Sequence, residues 1–284
     1  MVFPALAGLF IFVAVPFAMA VILAHTNLRM GSPLPIEFVG FEQFRRIFTD
    51  YTFQRALLNN GIFALVVVPL QTSLALALAM LLNRRLAGMA FFRTLFFMPV
   101  VFPMSLTAVI WILIFAPGPD ALMNTFLKIV TFGTWTAKDF LHEPFLAFPA
   151  IMLMSIWQGV GFQMIIILAG LQGIPAELYE AAAIDGAGGL GRFFHITLPQ
   201  LRNTLIFVSL VTTILAFRLF DQIQIMTRGG PNKTTTTVMY ELVHTAFDRQ
   251  QIGRAAAMTV VFFLLVLVLT WTQRRLVRQE REIE

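Results

Sequence analysis

Cysteine is absent from this 284-residue chain, which excludes a disulfide framework and any thiolate metal site. Histidine is scarce: His25, His142, His195 and His244 are scattered along the sequence, which argues against a zinc site. Charge is thin, at 12% of residues, against about 25% in ordinary globular domains. The net charge of +5 is divided among loops rather than gathered into one basic stripe, so no nucleic-acid partner is expected. Inside the long apolar runs Asp221 is the sole carboxylate. An intramembrane enzyme requires paired acids or a His–metal cluster there, and the runs offer neither. No internal repeat or low-complexity stretch is present, and the chain reads as one domain, 1–284.

Apolar length is what the chain has in excess. Hydrophobic residues make up 58% of it and the mean hydropathy is +0.80, the composition of a membrane protein. A spanning helix needs about 20 apolar residues. Six segments reach that length, roughly 2–24, 60–82, 94–115, 146–170, 203–224 and 254–272. The predicted fold class is therefore all-α, a polytopic membrane protein with six transmembrane helices. Ala18-Met19-Ala20 has the form of a signal cleavage site. No basic region precedes it and the apolar run continues to Ala24, so the segment is read as a retained helix. The missing basic flank leaves a native N-terminus further upstream open. Pro69 in the second span, and Pro99 and Pro103 in the third, are expected to kink their helices or to place irregular backbone against protein.

Polar residues within the runs are the candidates for a solute path. Arg218 and Asp221 lie three apart in the fifth span, hence on one helical face. They read either as path-lining groups near the outer mouth or as an internal ion pair. Trp157, Gln158 and Gln163 lie mid-span in the fourth segment. Amides and an aromatic face suit a sugar. The same amides suit hydrogen bonding between helices, with close packing at Gly159 and Gly161. Asn60, with Asn59, Gln71 and Ser73, is a weaker candidate in the second span. Two loop segments read as surface helices: 38–50, with Phe41, Phe44 and Phe48 at helical spacing, and 120–131, with Leu122, Met123, Phe126, Leu127 and Val130. Either suits lipid headgroups or a soluble partner.

The most specific stretch lies between the fourth and fifth runs. Glu180-Ala181-Ala182-Ala183-Ile184-Asp185-Gly186, then Ile196-Thr197-Leu198-Pro199, fits the pattern E-A-A-x3-G-x9-I-x-L-P at every fixed position. Residues 176–185 are rich in alanine and predict a short helix that Gly186 stops. Its small-residue face can enter a groove on a soluble partner. This pattern resembles the coupling loop, here 171–202, of the membrane subunits of binding-protein-dependent ATP-binding-cassette importers. Phe38-Val39-Gly40-Phe41-Glu42-Gln43-Phe44 resembles the segment after the first helix in carbohydrate-type subunits. Phe220-Asp221-Gln222-Ile223 and Thr227-Arg228-Gly229-Gly230-Pro231 resemble the end of their fifth helix and the loop behind it. Arg228 departs from the pattern, since relatives often carry another glycine there.

The resemblance implies a permease subunit of an ATP-driven importer in the bacterial or archaeal cytoplasmic membrane. Its solute class would be oligosaccharides, sugar glycosides or glycerol phosphates, moved by alternating access. It implies a second, homologous permease, two copies of an ATPase subunit, an extracytoplasmic binding protein and surrounding lipid. Glu180, Ala181, Ala182, Asp185, Gly186, Ile196, Leu198 and Pro199 would carry the ATPase coupling. No cofactor is expected on this chain, with ATP and Mg on the partner subunits. Both termini would be cytoplasmic. The basic residues themselves do not settle the orientation. They are densest on the coupling-loop side, which holds Arg84, Arg85, Arg93, Arg192, Arg202, Arg274, Arg275, Arg278 and Arg281.

Two motifs mislead. Gly186-Ala187-Gly188-Gly189-Leu190-Gly191 matches G-x-G-x-x-G, yet a short helix rather than a strand precedes it and no acid follows until Asp221. Gly229-Gly230-Pro231-Asn232-Lys233-Thr234 lacks the second glycine directly before the lysine of a nucleotide loop. A secondary transporter working without an ATPase is the rival reading. It would need coupling-ion carboxylates in the membrane, where only Asp221 qualifies.

Overall fold

The computed structural model describes residues 2–83 and 88–279. Their regular structure is helical, with one isolated antiparallel bridge between Thr26 and Phe38. Five helices are long and apolar enough to cross a membrane, and a sixth span exists if one bent pair counts as a single crossing. We number them in order: α1 Phe3–Leu23, α2 Glu42–Thr49, α3 Tyr51–Leu82, α4 Met89–Val101, α5 Met104–Ile114, α6 Leu122–Val130, α7 Ala147–Gln172, α8 Ala176–Ile184, α9 Gly189–Phe217, α10 Val238–Val243 and α11 Ile252–Gln279. Arg84, Arg85 and Arg281, which weigh in the orientation argument, lie outside the described residues.

Three of the expected spans change. The second begins at Tyr51 rather than at 60. The third, expected as one helix over 94–115, is broken. Its halves α4 and α5 meet at 100°. Phe102 is extended (φ −73°, ψ 138°) because the Pro103 ring excludes the helical conformation from the residue before it. Pro69 and Pro99, by contrast, sit inside uninterrupted helices. The fifth, expected over 203–224, is α9 and ends at Phe217. A π-type turn at Phe193–Thr197 carries α9 past Pro199, with the Leu198 N–H reaching the Phe193 carbonyl. Much of the expected 171–202 loop is therefore helix.

The chain forms two compact units: residues 2–61 with 217–279, and residues 62–216. In the first, α1 packs on α11, with Phe17 and Phe263 ring centroids 4.3 Å apart. Ile47, Phe53, Ala56, Val238, Ala257 and Met258 build its core. Gly253 lets α11 start hard against the Thr26 carbonyl, where a β-carbon would collide. An ion pair between Arg254 and Asp50 closes the same corner. Helix α2 buries Gln43 and Ile47 here and leaves Phe48, and Phe41 just before it, exposed. The Gln43 amide donates to the Thr26 carbonyl at 3.0 Å.

In the second unit α7 is the central element. It is the most buried of the spanning helices, although Leu153, Trp157 and Phe162 remain exposed. Its glycines mark the crossings: Gly159 against Gln71 of α3, Gly161 against the Phe96 carbonyl of α4, and Gly170 against Leu201 and Thr204 of α9. Without β-carbons Gly161 meets the neighbouring backbone, and Gly159 and Gly170 meet neighbouring side chains, at close range, which substitutes for the weak hydrophobic drive within lipid. Helix α6 leaves Leu122, Phe126 and Val130 exposed and buries Asn124. Asn124 donates to the carbonyls of Ala116, Gly118 and Lys138 and accepts from the Trp135 indole, which fixes the connection from α5 to α7.

Candidate functional site

Helix α8 starts after Pro175, carries Glu177 in its first turn and continues through alanines, each favourable to a helix. Its end is a Schellman turn. The Ala187 N–H bonds to the Ala182 carbonyl at 2.8 Å and the Gly186 N–H to the Ala183 carbonyl at 3.2 Å. Gly186 is left-handed there, at φ +76°, which glycine adopts freely. No residue of α8 is buried within the chain. Glu180, Ala181, Asp185 and Gly186 are exposed and Ala182 is half-buried.

The second half of the motif anchors this projection. Ile196 and Leu198 are half-buried and Pro199 is exposed. Tyr179 reaches from α8 to the Thr197 hydroxyl at 3.0 Å, and the Arg192 guanidinium donates to the Ala187 carbonyl at 2.8 Å. Neither was singled out for this role from the sequence, because Tyr179 precedes the fixed motif positions and Arg192 falls between them. Ile184 was missed too. It is 87% exposed, an apolar knob with nothing of its own chain to cover it. An isoleucine at the end of an alanine run was its only signal.

The mid-membrane candidates separate into two groups. Gln158 is buried and its amide donates at 3.2 Å to the Phe102 carbonyl, at the break in the third span. That carbonyl would otherwise be costly inside a membrane. Gln163, also buried, donates to the Thr212 hydroxyl at 2.6 Å, tying α7 to α9. Asn60 is 0% exposed, accepts from the Val238 N–H at 2.9 Å and donates to the Phe217 carbonyl at 3.4 Å. Its neighbour Asn59 donates to the carbonyls of Lys233 and Thr236. These amides bond between helices and to interrupted backbone. Trp157 differs: it is 43% exposed and stands edge-on to Trp111, centroids 5.7 Å apart.

Arg218 and Asp221 do not share one helical face, because α9 ends at Phe217, before Arg218, and the chain re-enters a helix only at Asp221. Both are exposed, and no ion pair joins them among the described residues. Arg228 keeps a left-handed conformation at φ +49°, the geometry a glycine would favour. The Tyr240 hydroxyl donates to its carbonyl at 2.8 Å. Burial, then Glu241 and Asp248, push the Tyr240 phenol up, with Arg228 and Arg249 opposing, so it stays a donor at neutral pH.

A family model described as binding-protein-dependent transport system inner membrane component matches residues 71–282. The chain is 35% identical to the diacetylchitobiose uptake system permease protein of Streptomyces coelicolor, covering 93% of this chain and 77% of the relative. It is 34% identical to the sulfoquinovosyl glycerol transport system permease protein of Agrobacterium fabrum, covering 97% and 88%. The fold is similar to a chain of a bacterial alginate ABC transporter crystallised with an alginate-pentasaccharide-bound periplasmic protein. The TM-score is 0.85 at 19% identity, over 98% of this chain and 93% of that one.

Proposed function

Since the chain belongs to the family of binding-protein-dependent transport system inner membrane components, we propose that it is the permease subunit of an ATP-driven importer for a carbohydrate-like solute. The relatives named above move a chitobiose derivative and a sugar glycoside, and an sn-glycerol-3-phosphate permease of Pectobacterium atrosepticum is 34% identical over 87% of this chain. Those cargoes support the carbohydrate branch. The working complex would pair this chain with a second permease, two ATPase subunits and an extracytoplasmic binding protein. ATP and Mg would be held by the ATPases, and this chain would carry no covalent chemistry. Both termini and α8 would face the cytoplasm.

The projecting helix α8 is the observation that carries the mechanism. Its backbone is fixed by the Schellman turn and the Tyr179 tether, while none of its side chains is buried. Such an element can seat in a groove and transmit a push without melting. ATP-driven closure of the partners would move α8 as a lever and shift the population from inward-open to outward-open. Glu180, Ala181, Ala182, Asp185 and Gly186 form the docking surface in this reading, with Ile184 as its apolar anchor. Ile196, Leu198 and Pro199 join it to α9. Trp157, Arg218 and Asp221 are the exposed candidates for the solute path. Gln158, Gln163 and Asn60 would act there indirectly, by holding the helices that shape it.

The absence of cysteine allows a clean test. Ile184→Cys, the sole thiol of the chain, should cross-link to the ATPase subunit in the assembled complex. A cysteine placed on the exposed face of α6, at Ile129, should not. Failure of Ile184→Cys to cross-link while uptake continues would remove α8 from the coupling path.

A further inference from the structure

The segment Gly229-Gly230-Pro231-Asn232-Lys233-Thr234 fails as a nucleotide loop, yet it lines a cavity of about 300 Å3 within the first unit. Tyr240, Glu241, His244 and Arg249, from α10 and the turn after it, line the cavity as well, together with Arg228 and Thr52. Three cationic side chains, Arg228, Lys233 and Arg249, thus share it with one carboxylate. That carboxylate, Glu241, is buried and committed to Arg249 at 2.5 Å. Arg228 and Lys233 have no carboxylate within ion-pair distance among the described residues. The Lys233 ammonium donates to the Thr52 hydroxyl at 2.5 Å, which engages one of its three donors. The His244 Nδ1 atom is buried and partnerless. Arg228, Asn232 and Lys233 all hold positive φ, a conformation that side-chain-bearing residues avoid and that clusters at functional sites.

Cationic donors in excess over acceptors suit a ligand that only accepts. We propose that this cavity binds the oxyanion group, phosphate, sulfonate or carboxylate, of a small ligand, with Arg228 and Lys233 as its charged contacts. The planar fork of Arg228 matches such groups in two-point geometry, and Lys233 adds a point charge. The cavity, at about 300 Å3, stands at the lower end of ligand pockets, roughly 300–1,000 Å3. It has room for one charged group on a glycerol-sized or single-sugar body and none for an oligosaccharide. The group has two possible sources, a soluble anion or a phospholipid headgroup. The inference takes its partner subunits from the transport reading, but its outcome is separable from that reading because binding is read without turnover.

The test uses the chain assembled with its partner subunits in zwitterionic nanodiscs, without ATP, titrated calorimetrically with inorganic phosphate. The expected result is saturable binding, weakened tenfold or more by Arg228→Gln and by Lys233→Gln, with assembly unchanged. Lys233→Arg should largely restore it. Loss of phosphate binding in nanodiscs containing anionic phospholipid would support the site and assign it to a headgroup; retained binding would support it and assign it to a soluble anion. If Lys233→Gln does not assemble, Arg228→Gln and Arg228→Lys, which should bind nearly as wild type, carry the test. No saturable binding by the wild type, or binding that the neutral variants leave unchanged, overturns the proposal. So does a variant that loses capture of the extracytoplasmic binding protein while phosphate binding stays intact.

Discussion

Gly186→Ala isolates what the turn after α8 contributes. A β-carbon at this position meets nothing within 4 Å, so the change adds no clash within the chain. What it adds is backbone strain, because the residue sits at φ +76°. An L residue in the left-handed region costs about 1–2 kcal/mol, which is roughly 5–30-fold against the native turn. Since α8 buries no residue, that strain should not reach the core, and the thermal midpoint of the assembled complex should hold. It should appear instead in docking, as a fall of similar size in uptake and in binding-protein-stimulated ATP hydrolysis in proteoliposomes. Gly186→Asn should retain more activity than Gly186→Ala, because asparagine tolerates the left-handed conformation. Gly186→Val, β-branched, should retain least. Wild-type uptake and stimulated hydrolysis in both the alanine and valine variants would refute the argument that the turn geometry matters.

Four further outcomes are expected. Gly161→Ala drives a β-carbon onto the Phe96 carbonyl; overpacking of this kind costs about 1–3 kcal/mol and should lower the thermal midpoint. Gln158→Leu strands the Phe102 carbonyl at the broken span, a cost of about 1–3 kcal/mol read as poorer assembly, whereas Trp157→Leu should leave assembly intact and reduce uptake at limiting solute. Arg218→Met and Asp221→Asn should have additive effects, since no bridge joins them; recovery in the double variant would show that they pair in the working complex. The chain purified alone should hydrolyse no ATP, and hydrolysis that survives removal of contaminants would contradict the assignment.

The number of apolar runs was legible because lipid demands length and hydropathy together, and both are counted directly. Their ends were not. The fifth run looks continuous to 224 because Phe217, Leu219, Phe220 and Ile223 are all apolar, but the helix stops at Phe217. Hydropathy is blind to such a backbone break. The break in the third span was half legible: Pro103 announced an irregularity, but nothing in the sequence distinguished it from Pro69 and Pro99, which lie inside helices. In α2 the phenylalanine spacing was legible, whereas the burial of Gln43 was not, because it depends on a carbonyl distant in the chain. Helix α8 was the most legible element. Its alanines, its glycine stop and its position between spans all act locally, so the sequence alone predicts both its extent and its end. The partners of Gln158 and Asn60 were not legible, since each bond joins residues far apart in the chain.

Replacing α8 by a flexible Gly–Ser linker of equal length tests the central claim most directly. Proteoliposomes would hold the assembled complex with ATP on the ATPase side and a labelled solute loaded on the binding protein. The account predicts that the wild type accumulates solute only with the ATPase and ATP present. The linker variant should insert normally, lose the ATPase on washing and accumulate nothing. Uptake that persists in the linker variant, or that an ion gradient drives without ATPase, would contradict it and restore the reading of a self-sufficient transporter.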